Sequence, residues 1–139
     1  RIDTLQAAIL LAKFDIFPAE VSARQRLGAR YSELLAGIVA TPHVEPHNTS
    51  VYAQYTVEVN HRAAVQESLK RQGVPTAVHY PITLNLQPVF SDIGLGVGAF
   101  PVAEAAAQRV MSLPMHPYLV EDDQRRVAQA LAEAMKEEI

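Results

Sequence analysis

An alternating segment followed at once by a helical one constrains the fold more than any other feature of this chain. From Val51 to Val59 every second residue is apolar, which predicts a half-buried strand because strand side chains alternate between two faces. Residues 61–72 have apolar side chains at helical spacing, with Asn60 placed to cap that helix and Gly73 placed to end it. Residues 74–78 predict a second strand. A strand, a helix and a strand within about thirty residues predict a small α/β unit.

The N-terminal part predicts two helices that meet at a proline. Apolar residues in segment 1–11 occur on more than one helical face, so this helix is expected to be buried against a missing partner. Pro18 cannot donate a backbone hydrogen bond and predicts a kink or a new helix start. The longest helix is predicted over residues 19–36, with Gly37 as its stop.

The C-terminal part predicts two more helices with a short strand between them. Pro101 suits the first turn of a helix that runs to about residue 110, and residues 111–113 predict the strand. The acidic run 121–123 favours a helix start because the helix dipole is positive there. The buried stripe of this last helix is predicted at Val127, Ala130, Leu131 and Ala134.

Composition restricts the class of function. The chain is 49% hydrophobic and 19% charged, with a formal net charge of −3, which is typical of a globular protein without a basic surface for nucleic acid. It contains no cysteine, which excludes disulfides, thiolate zinc sites and cysteine nucleophiles. The apolar run 7–12 is too short to span a bilayer. Neither nucleic acid nor a membrane is therefore an expected partner, and a reducing cytoplasm is the expected location.

The loop that follows residue 78 holds the best candidate for a polar site. His79 and Tyr80 come directly after the second predicted strand and precede Pro81, so restrained backbone is expected to hold exposed side chains. The pattern alone favours a satisfied histidine and a tyrosine packed at a strand end. It identifies no reaction.

Other motifs give weaker indications of chemistry. Gly94 to Gly98 has the spacing GxGxG, but no buried strand precedes it, which favours a flexible loop over a dinucleotide site. His43 and His47 are four residues apart, but nearby prolines prevent the helix that would align them, and no metal site is expected. No serine occupies a strand–nucleophile–helix elbow.

Four segments taken in order resemble the C-terminal part of the DegT/StrS-type nucleotide-sugar aminotransferases. They are RIDTLQAAILLAKF, VYAQYTVEV, GVPTAVHYPITLNLQPVF and EAAAQRVMSLPMHPYL. The resemblance implies an α/β fold, the small C-terminal domain of a fold type I enzyme dependent on pyridoxal 5'-phosphate. In it, helices pack on a small, mainly antiparallel sheet that follows a long kinked connecting helix. Residues 1–17 would end the large cofactor-binding domain, and residues 18–139 would form the small domain.

The resemblance also implies a reaction. The intact enzyme would move an amino group, with glutamate as the expected donor, to a UDP-linked keto-sugar in surface polysaccharide biosynthesis. The most similar branch aminates a UDP-linked 3-keto hexuronic acid. The family forms homodimers with shared active sites and binds pyridoxal 5'-phosphate through a lysine of the large domain. That lysine is expected upstream of Arg1, so this chain alone is expected to carry no catalytic residue and to be inactive.

The resemblance assigns substrate binding to Arg1, His79 and Tyr80. Arg1 matches the arginine of an Asn-x-Arg motif that reaches the cofactor phosphate and the sugar of the neighbouring subunit, which makes it also a cofactor-binding candidate. His79 and Tyr80 match a His/Tyr-Tyr-Pro loop that approaches the sugar nucleotide in the partner's site. Thr83 and Asn85 stand where the family usually has proline and histidine, which bears on the choice of sugar.

Two other interpretations stay open. A non-catalytic binding or dimerisation domain would use His79 and Tyr80 for packing. A hydrolase or metal protein built on the histidines is the third interpretation.

Overall fold

The structure is a computed structural model and describes residues 2–137. The described elements are α1 (Thr4–Phe14), α2 (Phe17–Leu34), β1 (Tyr55–Glu58), α3 (Arg62–Arg71), α4 (Pro101–Arg109), β2 (Val110–Leu113) and α5 (Glu121–Glu137). Two short 3-10 helices, Leu84–Leu86 and Pro88–Ile93, lie between α3 and α4. The strands form an antiparallel pair with helices packed on it, which confirms the predicted class of fold.

The first two helices meet as the proline predicted. Asp3 caps α1, since its Oδ1 accepts a hydrogen bond of 2.8 Å from the amide of Gln6. A new helix starts at Phe17 with Pro18 in its first turn, where a missing N–H costs nothing. No residue of α1 is buried, and Leu5 and Leu11 are 74% and 73% exposed. The described residues therefore leave the apolar surface of α1 uncovered.

The strands are shorter than the alternating pattern predicted. Tyr55 pairs with Leu113 and Val57 with Met111, and these four side chains are buried. The predicted strand start at residues 51–54 is wrong because Tyr52 adopts a φ of 43°, which turns the chain out of extended backbone.

The predicted strand at residues 74–78 is reduced to a single bridge between Ala77 and Ser112. The amide of Val74 donates instead to the carbonyl of Leu69 at 2.9 Å, which closes the end of α3. Pro75 follows without an N–H to offer a ladder. On the other side of the sheet, Ala40 forms a bridge to Glu58.

The end of α3 is as predicted, but its start is not. Gly73 has a φ of 73° and ends the helix as expected. Asn60 does not cap the helix. His61, with a φ of 48°, is the N-cap and makes no side-chain cap hydrogen bond.

The core lies where α2, α3 and α5 meet the sheet. The predicted stripe of α5 is confirmed, because its four residues are all buried. Gln124 is also fully buried, and its Nε2 donates to the carbonyl of Leu27 in α2 at 2.6 Å. Other fully buried side chains lie on or directly after α2, on α3 and on the two strands: Tyr31, Leu35, Tyr55, Val57, Val65, Leu69 and Met111. Each apolar side chain of this kind contributes roughly 1.5–3 kcal/mol by leaving water. Within residues 2–137, no helix has both the length and the apolar character needed to cross a membrane.

Candidate functional site

An open groove of about 840 Å³ lies between the loop that follows residue 78 and the inner face of α4. The polar side chains along it are His79, Tyr80, Thr83, Asn85 and Gln87. Its apolar lining comes from Ile82, Leu84, Phe100, Ala103, Ala106, Ala107 and Val110. A concave surface of mainly apolar groups with a few polar ones suits a small organic ligand.

The sheet fixes the position of His79. Ala77 and Ser112 exchange two backbone hydrogen bonds, of 3.2 and 2.8 Å, and His79 follows two residues later. Its Nδ1 lies 3.3 Å from Ser112 Oγ, which in turn lies 3.1 Å from Thr56 Oγ1. The histidine is half-buried and is held from the protein side through one ring nitrogen.

Tyr80 extends into solvent beside this histidine. It is 72% exposed, and its ring is almost perpendicular to that of His79, with 5.7 Å between the centroids. A tyrosine so placed offers both an aromatic face and a hydroxyl to a molecule in the groove. The two neighbouring residues that the sequence predicted as a polar site therefore both line the groove.

Glu104 of α4 holds the glycine-rich loop beside the groove. Its carboxylate accepts hydrogen bonds from the amides of Gly98, at 2.9 Å, and Phe100, at 3.2 Å. These backbone donors lower the pKa of the Glu104 carboxyl below its ordinary value. Gly98 has a φ of 87°, a conformation that L side chains rarely adopt. The segment Gly94–Gly98 is thus a loop that hydrogen bonds to Glu104 hold against α4.

Sequence reasoning missed Glu104, Ser112 and Thr56. An acidic residue in the first turn after Pro101 is a recognisable signal for a helix-start contact. The two hydroxyls had no such signal, because their meeting depends on the register of β1 and β2.

The other candidate residues lie away from the groove or outside the described chain. Arg1 lies outside the described residues. His43 pairs with Glu45 at 3.3 Å in an exposed loop. Throughout residues 2–137, no three potential ligands come together in a way that could hold a metal ion.

The lysines allow a test of whether the described residues fit pyridoxal 5'-phosphate. Lys13, Lys70 and Lys136 are exposed on α1, α3 and α5, and none lines the groove. The described part of the chain therefore presents no amine that could attach the cofactor in the groove. His79 and Tyr80 provide groups suited to a substrate.

Solved structures share this fold. The chain superposes on DesV of S. venezuelae, solved in complex with a ketimine intermediate, with a TM-score of 0.92 and 30% identity; the match covers 98% of this chain and 37% of that one. A DegT DnrJ EryC1 StrS aminotransferase of Brucella abortus gives a TM-score of 0.88 and 38% identity, covering 94% of this chain and 35% of that one. The small sheet, its helices and the groove thus form the C-terminal portion of an aminotransferase fold.

The family itself follows from the sequence match. The model of the DegT/DnrJ/EryC1/StrS aminotransferase family matches residues 1–132. This chain belongs to that family, and the resemblance stated above is confirmed.

Curated relatives narrow the comparison further. A UDP-2-acetamido-2-deoxy-3-oxo-D-glucuronate aminotransferase of Pseudomonas aeruginosa is 55% identical over 120 residues, which are 86% of this chain and 33% of the relative. A UDP-N-acetyl-3-dehydro-alpha-D-glucosamine 3-aminotransferase of Acidithiobacillus ferrooxidans is 36% identical over 129 residues, or 92% of this chain and 34% of the relative. The chain spans about a third of the length of the curated relatives it matches.

Proposed function

We propose that the protein containing this chain transfers an amino group to the 3-oxo position of a UDP-linked sugar, with a 3-oxo uronic acid as its preferred substrate. The observation that carries the proposal is the 55% identity with the P. aeruginosa enzyme named for such a substrate. Glutamate is the proposed amino donor, and surface polysaccharide biosynthesis in the cytoplasm the proposed setting. In this arrangement residues 1–17 end a large domain, and residues 18–139 form the small domain.

Pyridoxal 5'-phosphate is the proposed cofactor, attached by a lysine that this chain does not provide. When bound, it supplies the electron sink that amino transfer needs. The described residues bind and orient the sugar nucleotide. Arg1 would contact the cofactor phosphate and the sugar from the neighbouring subunit.

His79 and Tyr80 are proposed to contact the sugar nucleotide. A ring N–H of His79 can donate to a pyrophosphate or carboxylate oxygen, and such charge-assisted hydrogen bonds are stronger than neutral ones. The Tyr80 hydroxyl and ring can hold a sugar face, and the apolar side chains of Leu84 and Phe100 exclude water from it. The groove then sets the orientation of the keto-sugar.

A homodimer with shared active sites is also proposed. Large apolar and aromatic side chains of α1 and of the groove loop are mostly exposed to solvent. They include Leu5, Leu11, Phe14, Tyr80 and Leu84. Exposed apolar surface of this kind marks interfaces. A second subunit would bring the groove loop of one copy to the cofactor of the other.

The test uses the intact protein with pyridoxal 5'-phosphate and glutamate. UDP-2-acetamido-2-deoxy-3-oxo-D-glucuronate and its non-carboxylated 3-oxo analogue are compared, and the aminated product is quantified. We expect higher kcat/KM for the uronic acid. His79→Ala should raise the KM for the sugar nucleotide roughly ten- to a hundredfold, since a hydrogen bond to a charged group contributes about 1.5–3 kcal/mol.

The matched control is His43→Ala, which removes an exposed histidine far along the chain from the groove. It should leave both kinetic constants unchanged. If neither sugar gives an aminated product, the proposed reaction is overturned and a binding or dimerisation module is favoured. An unchanged KM in the His79→Ala protein would overturn the assignment of the groove.

A further inference from the structure

We propose that Ser112 and Thr56 are positioning residues for substrate binding, because their hydroxyls orient the His79 ring and allow its Nε2 to alternate between hydrogen-bond donor and acceptor. The inference deepens the proposed function and depends on His79 contacting the sugar nucleotide. Neither hydroxyl needs to touch the substrate.

The register of the sheet brings the three side chains together. Thr56 and Ser112 are directly opposite each other in the antiparallel pair, so their side chains lie on the same face. Ala77 bridges Ser112 from the other side, and His79 lies two residues further on. In extended backbone, side chains two residues apart lie on the same face, so the side chain of His79 lies on the face that carries Ser112 and Thr56.

The contacts form a single chain of three groups. His79 Nδ1 lies 3.3 Å from Ser112 Oγ, and Ser112 Oγ lies 3.1 Å from Thr56 Oγ1. Ser112 is only 6% exposed, so the protein side of the histidine is shielded from water. Because Nδ1 is taken up by Ser112, Nε2 is the ring nitrogen that remains for a ligand in the groove that His79 lines.

Two hydroxyls in series allow this chain to run in either direction. A neutral imidazole has one donor nitrogen and one acceptor nitrogen, whereas a hydroxyl can both donate and accept. When Thr56 donates to Ser112 and Ser112 donates to Nδ1, the proton of His79 is on Nε2. In the other tautomer Nδ1 has gained a proton and Nε2 has released its own to water in the open groove; Nδ1 then donates to Ser112, both hydroxyl hydrogens turn round, and Nε2 becomes an acceptor. No heavy atom has to move.

A carbonyl in place of Ser112 would not permit this reversal. A carbonyl oxygen can only accept a hydrogen bond, so Nδ1 would always carry the ring proton. Nε2 would then always be an acceptor. A sugar nucleotide presents both kinds of partner, since its pyrophosphate and carboxylate oxygens accept and its hydroxyls donate. The hydroxyl pair therefore lets one histidine meet either group without a change of position.

A cross-strand pair of hydroxyls can also stabilise a sheet and do nothing else. The two roles differ in their dependence on His79. A positioning effect disappears when the histidine is removed, whereas a stabilising effect persists. A double-mutant cycle separates them.

The experiment measures KM and kcat of the intact, cofactor-loaded protein with the 3-oxo uronic acid substrate. The variants are Ser112→Ala, His79→Ala, the double variant and Ser112→Thr. We expect Ser112→Ala to raise the KM for the sugar nucleotide roughly five- to tenfold, with kcat and the KM for glutamate changed less than about twofold. Ser112→Thr, which keeps the hydroxyl, should restore most of the loss.

In the His79→Ala background, Ser112→Ala should have no further effect on KM. Thr56→Val keeps the shape of a half-buried side chain and removes only the distal hydroxyl, so it tests the proposal even if Ser112→Ala unfolds. It should raise KM about two- to fivefold. Ser32→Ala is the matched control, because it removes a hydroxyl that contacts Tyr55 at 2.9 Å, away from His79.

Two results would overturn the inference. One is a Ser112→Ala effect of equal size with and without His79, which would make the hydroxyl independent of the histidine. The other is an unchanged KM in both Ser112→Ala and Thr56→Val. If His79→Ala itself leaves KM unchanged, the groove assignment under the proposed function fails instead, so the two failures are distinguishable.

Discussion

Replacing Gly28 with alanine would test how closely α2 packs against Tyr52. A Cβ at residue 28 would lie 2.3 Å from both Cδ2 and Cε2 of Tyr52, whereas carbon atoms pack best at about 3.5–4.0 Å. The Tyr52 backbone is held, because Arg24 donates to its carbonyl at 3.0 Å and its amide donates to Ser50 at 3.1 Å, and the ring packs beside that of Tyr55 with 5.6 Å between the centroids. The added methyl group must therefore displace the Tyr52 ring by more than about 1 Å, as judged against the ordinary contact distance.

Two opposing terms set the magnitude. Overpacking of this kind costs about 1–3 kcal/mol, whereas alanine in a helix interior is more favourable than glycine by about 0.5–1 kcal/mol. We expect Gly28→Ala to lower the free energy of unfolding by about 1–2 kcal/mol. In a Tyr52→Ala background the clash is absent, so the same substitution should raise the free energy of unfolding by up to about 1 kcal/mol. The sign of the effect therefore reverses.

The assay is urea unfolding of four proteins: the parent, each single variant and the double variant. The coupling free energy between the two sites is then obtained from differences alone. A destabilising Gly28→Ala effect of the same size in both backgrounds would show that Tyr52 is not what excludes a side chain at residue 28. A stabilising effect in both would show that the ring moves aside without cost.

Three further predictions concern the loop and the core. Glu104→Gln should reduce the hydrogen-exchange protection of the Gly98 amide. In the parent protein that protection should be complete at neutral pH and should be lost as the pH falls through the lowered pKa of the Glu104 carboxyl, because a carboxyl with a lowered pKa stabilises only while it is ionised; protection that does not change as this carboxyl takes up its proton would contradict the prediction. Tyr31→Phe removes the hydrogen bond of 3.1 Å to the Pro114 carbonyl and should cost about 1 kcal/mol in urea unfolding, so an unchanged midpoint would count against it. Leu131→Ala, at a fully buried position of α5, should cost about 2–5 kcal/mol, and a loss below 1 kcal/mol in the same assay would mean that the core collapses around the gap.

Features that depend on neighbouring residues were predictable from the sequence. Pro18 and Gly73 act through their own backbone geometry, so the start of α2 and the end of α3 follow from residue type. The buried stripe of α5 repeats at helical spacing, so the sequence predicts which face of the helix is turned toward the core without identifying what packs against it.

Two details at the ends of α3 were not predictable from residue type. Residues 74–78 have the composition of a strand, but the amide of Val74 is used by α3. Asn60 has the residue type of a cap, but the chain enters α3 through a left-handed His61. In both cases the backbone conformation at an end of α3, and not the residue type, decides the outcome.

The residues of the candidate site also differ in whether the local sequence predicts them. His79 and Tyr80 stood out because they follow an apolar segment and precede Pro81. Ser112 and Thr56 are 56 residues apart in the chain and meet only through the strand register. No local pattern carries that information, so the residues proposed to orient the histidine emerge only from the fold.

The two bridges that flank the sheet have a consequence for aggregation. A two-stranded ribbon normally presents a row of unpaired amides and carbonyls on each outer side, and such rows recruit strands from other molecules. Here Ala40 occupies one outer side through Glu58, and Ala77 occupies the other through Ser112. Both single bridges lie opposite strands of four residues each, so little free ladder is left to template intermolecular pairing. The two segments that carry Ala40 and Ala77 thus also protect the sheet against edge-to-edge association.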